Sequence, residues 1–325
     1  MNEQYLICFH TSCIDGFASA WCVYDALNKE GVKDEDMEFI PCDYGDPIPD
    51  MTGKVVYIAD FSWYDVDALL TEVTKAERVV MIDHHIGAQK VWAEVKLPKN
   101  MLYVYSDKES GIGLTWDYFH SGQPMPLILS HIQDRDLWKW SITGSPQVHA
   151  VLKSEGFMSR EKDQRKLREK FLRFSKYAFM WKDEEITRLL AFGVVIERAE
   201  SALIDLILER TSTFVDFPTY KDDPNHPGNY LLDATYRVPV AEVPYDLASE
   251  AGDKLNQGYP FSVTYETQWA LGRRKFSIRS NKETGIDVVE IAKQQGGAGH
   301  KHAAGWIEPI IGSDDFPWNF VKKFT

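Results

Sequence analysis

Cysteine is scarce in this 325-residue sequence: its four cysteines all lie within the first 42 residues, and no two form a C-x-x-C pair. The N-terminal residues lack the basic and long apolar stretches of a secretion signal, so none is predicted. Apolar runs are short and interrupted by charges, which excludes a predicted membrane-spanning segment. We therefore expect a cytoplasmic protein with reduced thiols and no membrane partner.

Basic residues are also in deficit. Lysine and arginine number 36 against 49 aspartates and glutamates, which gives a formal net charge of −13. A protein that follows a long nucleic acid usually gains affinity from a broad basic surface. Long duplex nucleic acid is therefore disfavoured as a partner. A small anionic substrate fits better, because bound metal ions and a few arginines can reverse the charge locally.

The hydrophobic pattern predicts an α/β protein. Short, near-continuous apolar runs alternate with helical patterns in the first part of the chain: "YLICFH", "EFIPCDY", "KVVYIADF" and "RVVMIDHH". Such runs are typical of parallel strands covered by helices on both faces. The pattern from about 110 to 210 is helical, with one long helix over 183–210. A turn-rich segment at 217–230 then precedes a smaller α/β unit.

The strongest short motif is Asp83-His84-His85, which ends one of these apolar runs. Three consecutive metal-capable residues at a strand end can supply a ligand, a residue that orients it, and a histidine that faces substrate. The alternative interpretation is a polar loop that holds two histidines by chance. The motif alone does not decide between the two interpretations.

Other acids and a histidine accompany this motif. His10 and Asp15 follow the first predicted strand, Asp60 ends another, and "HIQDRDLW" adds Asp134 and Asp136. Ligands of open parallel sheets bind at the carboxyl edge, where these strand ends meet. Clustered carboxylates would repel each other without cations, and a two-metal site needs a bridging carboxylate. Oxygen ligands with some imidazole suit manganese or magnesium, so we predict a two-metal site.

A glycine-rich motif, "GGAGHKHAAGW", lies in the smaller unit. Gly297 and Gly299 could let the backbone approach a ligand and cradle a phosphate with N–H groups, and His300 follows them. In the nearby "FSIRSN", Arg279 could pair bidentately with a phosphate. A helix-connecting turn and a surface ion pair are the corresponding alternatives.

The motifs as a set resemble the DHH phosphoesterase family, in the branch with a C-terminal DHH-associated domain. They occur in order as "FHTSCIDGFASAW", "VVYIADF", "VVMIDHH", "SDKESGIGLTW" with "HIQDRDLW", then "FSIRS" and "GGAGHKHAAGW". The resemblance implies a parallel-sheet DHH catalytic domain over 1–185, a helical connector over 186–225, and a smaller α/β DHH-associated, substrate-binding domain over 226–325. Residues 145–230 match only loosely, as helices.

The resemblance also implies roles for individual residues. It implies two Mn²⁺ ions, with Mg²⁺ or Co²⁺ as substitutes, held by His10, Asp15, a bridging Asp60, His84, and either Asp134 or Asp136. His85 is implied to face the scissile phosphate, and Asp83 to orient the neighbouring ligand. The residues implied to hold the nucleotide or its phosphate are Arg279, Ser280, Gly297, Gly299 and His300.

Two positions depart from the family pattern. Cys13 stands where the first family motif usually carries an aspartate. A thiolate is a softer ligand, so Cys13 either changes the metal preference or is not a ligand. His302 stands where an asparagine is commoner, and it is either a substrate contact or a capped surface residue.

The hypothesis that follows is metal-assisted hydrolysis of short nucleotides to mononucleotides. Suitable substrates are linear dinucleotides such as pGpG or pApA, and very short RNA. The alternatives are a RecJ-type single-strand exonuclease, a pyrophosphatase or polyphosphatase, and a catalytically weakened nucleotide-binding regulator. Phe17 and Trp306, near the motifs, would suit stacking on a base. The resemblance also suggests a homodimer.

Overall fold

A computed structural model describes residues 3–11, 13–158, 160–180, 183–222, 230–281 and 286–310. The chain divides into two compact units, Met1–Arg198 and Ala199–Thr325. Each unit has its own β-sheet and its own hydrophobic core. The predicted fold class is confirmed: the protein is α/β, with a parallel sheet in the first unit and a smaller mixed sheet with helices in the second.

The first unit alternates strands and helices. Its strands are β1 (Gln4–His10), β2 (Met37–Cys42), β3 (Lys54–Ala59), β4 (Arg78–Asp83) and β5 (Met101–Tyr105). Its helices are α1 (Ile14–Lys29), α2 (Val66–Val73), α3 (Ile86–Trp92), α4 (Gly111–Phe119), α5 (Leu127–Asp136), α6 (Ser145–Ser154) and α7 (Gln164–Ala178). The long α8 (Asp183–Thr211) contains the boundary between the units.

All five strands of this sheet are parallel, in the order β2-β1-β3-β4-β5. Their carboxyl ends therefore lie at one edge. The chain proceeds from β1 to β2 on one side and then returns to β3 on the other, so the strand order reverses between β1 and β3. Ligands of open α/β sheets bind at such a switch point. Here β1 ends in His10, and Asp60 follows β3 directly.

The apolar strand runs arise because both faces of this sheet are buried. Along β1, Ile7 and Phe9 belong to one hydrophobic cluster, whereas Leu6 and Cys8 belong to another. Successive side chains of a strand point to opposite faces, so each face packs under its own layer of helices. Burying one large aliphatic side chain contributes about 1.5–3 kcal/mol. Polar side chains are therefore confined to the strand ends.

The second unit is built on a six-stranded mixed sheet. Its strands are β6 (Thr213–Asp222), β7 (Tyr230–Glu242), β8 (Phe261–Gln268), β9 (Arg273–Ser280), β10 (Ala298–His300) and β11 (Ala303–Pro309), and its helices are α9 (Ala248–Leu255) and α10 (Val288–Gln294). The order is β10-β11-β9-β8-β7-β6. β7 and β8 are parallel, and the other neighbouring strands are antiparallel.

The turn-rich prediction at 217–230 is partly wrong. Residues 217–222 belong to β6 and pair with β7, while 223–229 lie outside the described residues. Pro218 suggested a turn, but β6 is an edge strand, where proline is tolerated. Phe217 is buried and ties β6 to the core of this unit. In the part of the chain that the structure describes, no helix is both long and apolar enough to cross a membrane.

Candidate functional site

The carboxyl edge of the first sheet gathers the predicted metal-binding residues. Two groups of three bring their candidate ligand atoms within 4.8 Å of one another: His10, Asp60 and His85, and Asp15, His84 and Asp136. The two groups meet where Nε2 of His84 lies 3.1 Å from Oδ1 of Asp60. Six side chains from separate loops and helix ends therefore converge at the switch point of the sheet.

Asp60 occupies the position between the two groups. Its Oδ2 lies 3.6 Å from Nδ1 of His10, and its Oδ1 faces His84. On the other side, Nε2 of His84 lies 3.5 Å from Oδ2 of Asp136 and 4.0 Å from Oδ2 of Asp15. One carboxylate thus presents an oxygen to each group, as a bridging ligand would.

Several polar atoms at this centre are buried without a hydrogen bond. They are Nδ1 of His10, Oδ2 of Asp15, and both carboxylate oxygens of Asp60. Asp15 and Asp60 are each only 1% exposed. Burying charged oxygens without partners is costly, and divalent cations would compensate it. Carboxylate oxygens combined with imidazole nitrogens are donors that manganese and magnesium accept, so the donor set fits such ions.

The charges at the centre are strongly coupled. Burial opposes the charged form of His84, but its interaction with Asp60, followed by that with Asp136, raises its pKa to about 10. Burial likewise acts against ionised Asp60, but the neighbouring imidazoles of His10 and His84 hold its pKa well below its usual range. The imidazolium of His84 thus balances neighbouring carboxylates, and metal binding would release its proton.

Asp83 belongs to neither group but holds the histidines that follow it. Its Oδ1 accepts hydrogen bonds from the backbone N–H of His84 (2.7 Å) and of His85 (3.1 Å), and from Nδ1 of His85 (2.6 Å). Its Oδ2 accepts from the hydroxyl of Ser62 (2.6 Å). Because the carboxylate is an acceptor, Nδ1 of His85 carries the hydrogen. Asp83 therefore fixes the His85 ring at the centre.

Asp134 and Asp136 have different surroundings. Both oxygens of Asp134 accept hydrogen bonds: Ser141 donates through its N–H (2.8 Å) and its hydroxyl (2.5 Å), Ile142 through its N–H (3.2 Å), and Ser145 through its hydroxyl (2.6 Å). Asp136 instead faces His84. Of the two residues that the sequence left as alternatives, the structure brings Asp136 into the centre and commits Asp134 to the turn after α5.

Cys13 lies beside the Asp15, His84 and Asp136 group. It is the N-cap residue of α1, and its Sγ lies 4.0 Å from Oδ1 of Asp136. Burial, followed by the charges of Asp60 and Asp136, raises the pKa of the Cys13 thiol well above its ordinary value. A neutral thiol at this position is a hydrogen-bond donor to Asp136. Metal ligation by Cys13 stays a prediction.

The start of α4 supports the centre from outside, a role that the sequence reasoning did not assign. The hydroxyl of Ser110 (2.6 Å) and the N–H of Ile112 (3.2 Å) both donate to Oδ1 of Asp15. A Cβ at Gly111 would lie 2.4 Å from Cβ of Asp60 and 2.7 Å from its Oδ1. The close packing of Gly111 against Asp60 is therefore possible only without a side chain. The sequence feature that could have indicated this supporting role is the motif "SDKESGIGLTW".

The backbone of Asp60 is itself unusual. Its φ is +55°, in the left-handed region, and its N–H donates to the carbonyl of Ile82 (2.9 Å). Residues other than glycine, asparagine and aspartate rarely adopt this conformation. The sharp turn directs the chain out of β3 while the carboxylate stays at the sheet edge.

The predicted substrate-binding residues of the second unit gather at one end of its sheet. β9 and β10 flank β11, with Arg279 and His300 both opposite Ala303. The Arg279 guanidinium donates to the hydroxyls of Ser277 (2.8 Å) and Ser249 (2.8 Å). Arg279 is therefore held in one orientation by its own unit.

Ser280 and His302 are also joined at this end of the sheet. The Ser280 hydroxyl lies 2.9 Å from the carbonyl of Ile286, to which it donates, and 3.0 Å from Nδ1 of His302. A hydroxyl that donates its hydrogen to a carbonyl can only accept from the imidazole. Nδ1 of His302 therefore carries a hydrogen, and the ring is oriented by Ser280.

The glycine run differs from the predicted phosphate cradle. The N–H of Gly297 donates to Ala292 (2.8 Å) and that of Gly296 to Lys293 (2.9 Å), and Gly296 has φ +77°. This is the Schellman arrangement that ends α10. A Cβ at Gly297 or Gly299 would meet backbone of β11, at 2.1 Å and 2.5 Å respectively. These glycines serve the turn and the strand packing, so the N–H of Gly297 is committed within the chain.

The predicted stacking residues are placed in the cores of their units. Phe17 is 2% exposed and packs among other phenylalanines of the first unit. Trp306 is 3% exposed and stacks on Phe276 in the second. Neither ring can reach a nucleobase, so this part of the sequence interpretation is wrong.

Comparison with known proteins gives distant similarities. No family model matches the chain. An uncharacterised protein of Acanthamoeba polyphaga mimivirus is 26% identical over 317 residues, which cover 94% of this chain and 67% of that protein.

Solved structures are similar at lower identity. A pGpG-specific phosphodiesterase, PggH, from Vibrio cholerae has a TM-score of 0.48 and 13% identity, with 99% of both chains covered. RecJ with Mn²⁺ from Thermus thermophilus has a TM-score of 0.46 and 14% identity, over 93% of this chain and 49% of RecJ. An exopolyphosphatase-related protein of Bacteroides fragilis has a TM-score of 0.45 and 14% identity, over 93% of this chain and 86% of that one.

Proposed function

We propose that this protein is a divalent-metal-dependent phosphoesterase of the DHH type, which hydrolyses short nucleotides to mononucleotides. The observation that carries the proposal is the placement of Asp60 between two ligand groups, with both of its buried oxygens lacking hydrogen bonds. Buried carboxylate oxygens without hydrogen bonds are costly, and bound cations would offset that cost. The ordered sequence motifs support the same assignment.

The chain's own side chains would bind and position the cations. His10 and Asp60 would hold one cation, with the His85 ring beside it, and Asp15, His84 and Asp136 would hold the other. When bound, manganese or magnesium would supply activation of a water molecule and stabilisation of charge on phosphoryl oxygens. Ser110 holds Asp15, and Gly111 leaves room for Asp60, so the ligands are positioned in advance.

His85 is the residue proposed to contact the scissile phosphate. Asp83 accepts the hydrogen on Nδ1 of His85 and thereby orients the ring. Nε2, on the far side of the ring, is the atom that would donate to a phosphoryl oxygen. A donor fixed in position before the reaction stabilises developing charge without reorganisation. Asp83 is therefore a positioning residue, whereas His85 is a catalytic one.

The proposed substrates are linear dinucleotides, such as pGpG or pApA, and very short RNA. The net charge of −13 disfavours a long polyanion, whereas a short nucleotide needs only local positive charge. In the second unit, Arg279 is oriented by two serines, and His302 is oriented by Ser280. We propose that these side chains, together with His300, hold the part of the nucleotide remote from the scissile bond.

The test is an activity screen of the metal-stripped protein after manganese is added back. The substrates are pGpG, pApA, longer RNA, single-stranded DNA, a cyclic dinucleotide, pAp, pyrophosphate and polyphosphate, with products separated by chromatography. We expect mononucleotides from the linear dinucleotides, and no product from an Asp60→Asn control. No manganese-dependent product from any substrate would refute the enzyme, and faster cleavage of long single strands would identify an exonuclease instead. Light scattering of the same sample tests the predicted homodimer.

A further inference from the structure

Two tryptophans follow the candidate ligand Asp136 in an unusual backbone conformation. Trp138 and Trp140 both have φ +52°, in the left-handed region. A bulky side chain rarely adopts this conformation, and it persists only where the surrounding structure enforces it. Such residues occur disproportionately at functional sites. The segment that contains the two tryptophans is therefore a candidate for a functional role.

Buried Asp134 anchors the backbone on both sides of Trp140. Its carboxylate accepts hydrogen bonds from the backbone N–H groups of Ser141 and Ile142, directly after the second tryptophan. Its backbone carbonyl accepts from the N–H of Lys139, between the two tryptophans (2.9 Å). The side chain is only 3% exposed, and both of its oxygens accept hydrogen bonds from residues that follow α5. Its buried charge is used to hold the tryptophan segment.

The segment presents one of its indoles to solvent. Trp140 is 40% exposed. Trp138 contacts it edge to face, with ring centroids 4.8 Å apart and an angle of 69°. The guanidinium carbon of Arg135 lies 5.1 Å from the centroid of the Trp138 ring. Trp138 thus contacts both Arg135 and Trp140 and acts as a support, whereas Trp140 offers an indole surface.

The tryptophan segment follows the candidate ligand Asp136 closely in the chain. Trp140 follows Asp136 by four residues, and consecutive Cα atoms are about 3.8 Å apart, so the two Cα atoms are separated by at most ~15 Å. The Nζ of Lys139 donates to the carbonyl of Lys108 (3.2 Å), in the loop that leads to Ser110. The tryptophan segment is therefore tied to the same loop that positions Asp15.

We propose that Trp140, supported by Trp138, is a stacking surface for a nucleobase of the substrate. This inference rests on the proposed phosphoesterase function and narrows its substrate class to nucleotides. Every base has a π-face, so stacking on an indole tolerates different bases but requires one to be present. Pyrophosphate and polyphosphate offer no such face. The surface would therefore select base-containing substrates without a strict base preference.

The test compares two non-hydrolysable ligands in the presence of Mn²⁺. One is pGpG with a methylene-bridged phosphonate linkage, and the other is the same molecule with one guanine replaced by hydrogen, prepared separately for each of the two positions. Calorimetry gives the affinity ratio between the intact ligand and each abasic ligand. For the unaltered protein we expect a ratio of about 10 to 100 for one position. Trp140→Ala should reduce that ratio to about 1, and Trp140→Phe should keep it within about threefold.

A matched control is Trp269→Ala, which removes an indole that is 71% exposed on the second unit. The control should keep the ratio of the unaltered protein. A Trp140→Ala ratio equal to that of the unaltered protein would overturn the inference. Equal weakening of all ligands by Trp140→Ala would also overturn it, because that pattern is expected of a structural residue.

The two proposals fail in different measurements. If the unaltered protein binds the intact ligand with the expected ratio but hydrolyses nothing, the catalytic proposal fails and the stacking surface stands. If it hydrolyses dinucleotides but shows no ratio above 1 at either position, the stacking surface fails and the catalytic proposal stands. Circular dichroism of Trp140→Ala and Trp140→Phe confirms that each compared variant is folded.

Discussion

Asp134 and Asp136 lie two residues apart on the last turn of α5, yet their carboxylates serve different parts of the protein. Oδ2 of Asp136 lies 3.5 Å from Nε2 of His84, whereas both oxygens of Asp134 accept hydrogen bonds from the turn that follows the helix. One acid therefore faces the candidate metal centre, and the other stabilises the turn. Replacing each of them in turn tests this division.

Asp136→Asn should weaken manganese binding strongly with little loss of stability in the absence of metal, because its carboxylate faces the centre. Asp134→Asn should lower the free energy of unfolding by about 1–3 kcal/mol, since an amide leaves one of the buried donors without an acceptor. Denaturant unfolding and manganese titration measure the two effects. The same profile for both variants would contradict the division of roles.

Manganese should stabilise the protein itself. Buried oxygens of Asp15 and Asp60 lack hydrogen bonds, so cations that bind them favour the folded state. At a free concentration about 100 times the dissociation constant, one site adds about 2.7 kcal/mol to the free energy of unfolding. Urea unfolding with manganese and with a chelator measures the gain. Asp60→Asn is the control that should lose most of it, and identical midpoints for the unaltered protein would refute the metal site.

Asp83→Ala should reduce metal affinity or turnover by about 10- to 100-fold, although Asp83 belongs to neither ligand group. Its loss removes the acceptor for two backbone N–H groups, the ring of His85 and the hydroxyl of Ser62. The matched variant Ser62→Ala removes one of these four bonds and should cost less than tenfold. Steady-state kinetics over a range of manganese concentrations separates affinity from turnover. An Asp83→Ala protein with unchanged kinetics would show that His85 needs no orientation.

Gly111→Ala should weaken manganese binding, because the added Cβ would lie 2.7 Å from Oδ1 of Asp60. Gly113→Ala is the control on the same helix. There the new Cβ displaces Oε1 of Gln133, which accepts from the N–H of Ser110, but does not meet Asp60. Alanine favours the helix over glycine by about 1 kcal/mol in both variants, so this effect does not distinguish them. Manganese titration by calorimetry compares the two, and equal affinities would mean that Asp60 tolerates the displacement.

Cys13→Asp should lower stability without metal and enlarge the stabilisation by manganese. The new carboxylate would stand close to Asp136, so it would add like-charge repulsion that cations relieve. Cys13→Ser keeps an N-cap residue on α1 and should leave the manganese increment unchanged. Urea unfolding with and without manganese gives both increments. A Cys13→Asp increment no larger than that of Cys13→Ser would place position 13 outside the metal centre.

The sheet and most of the candidate centre could be anticipated because they follow from local patterns. A near-continuous apolar run predicts a buried strand, and a polar residue at its end then lies at the carboxyl edge, as Asp60 and His84 do. Such placement needs no knowledge of side-chain direction. The convergence of loops from separate strands follows from the parallel arrangement alone.

The remaining features depend on where side chains point and on the path of the chain between elements, and the hydrophobic pattern of the sequence specifies neither. Asp134 and Asp136 are both on one helical turn, and only the path of the chain after α5 decides which one faces His84. Gly296 and Gly297 could equally cradle a phosphate or end a helix, because both arrangements use backbone conformations that glycine favours. The sequence does not predict the exposure of Trp140, because that exposure depends on the left-handed turn that precedes it.

Asp60 is constrained twice, by its carboxylate and by its φ of +55°. Among side chains that carry an acid, glutamate has the longer stem and is rarer in the left-handed region, so it cannot replace aspartate in place. Asparagine and glycine tolerate the left-handed backbone conformation but lack the negative charge. A lineage that abandons catalysis would therefore be expected to pass through one of these two residues at position 60 while its fold persists. The residue at this position in divergent sequences would thus indicate whether the proposed metal chemistry was kept.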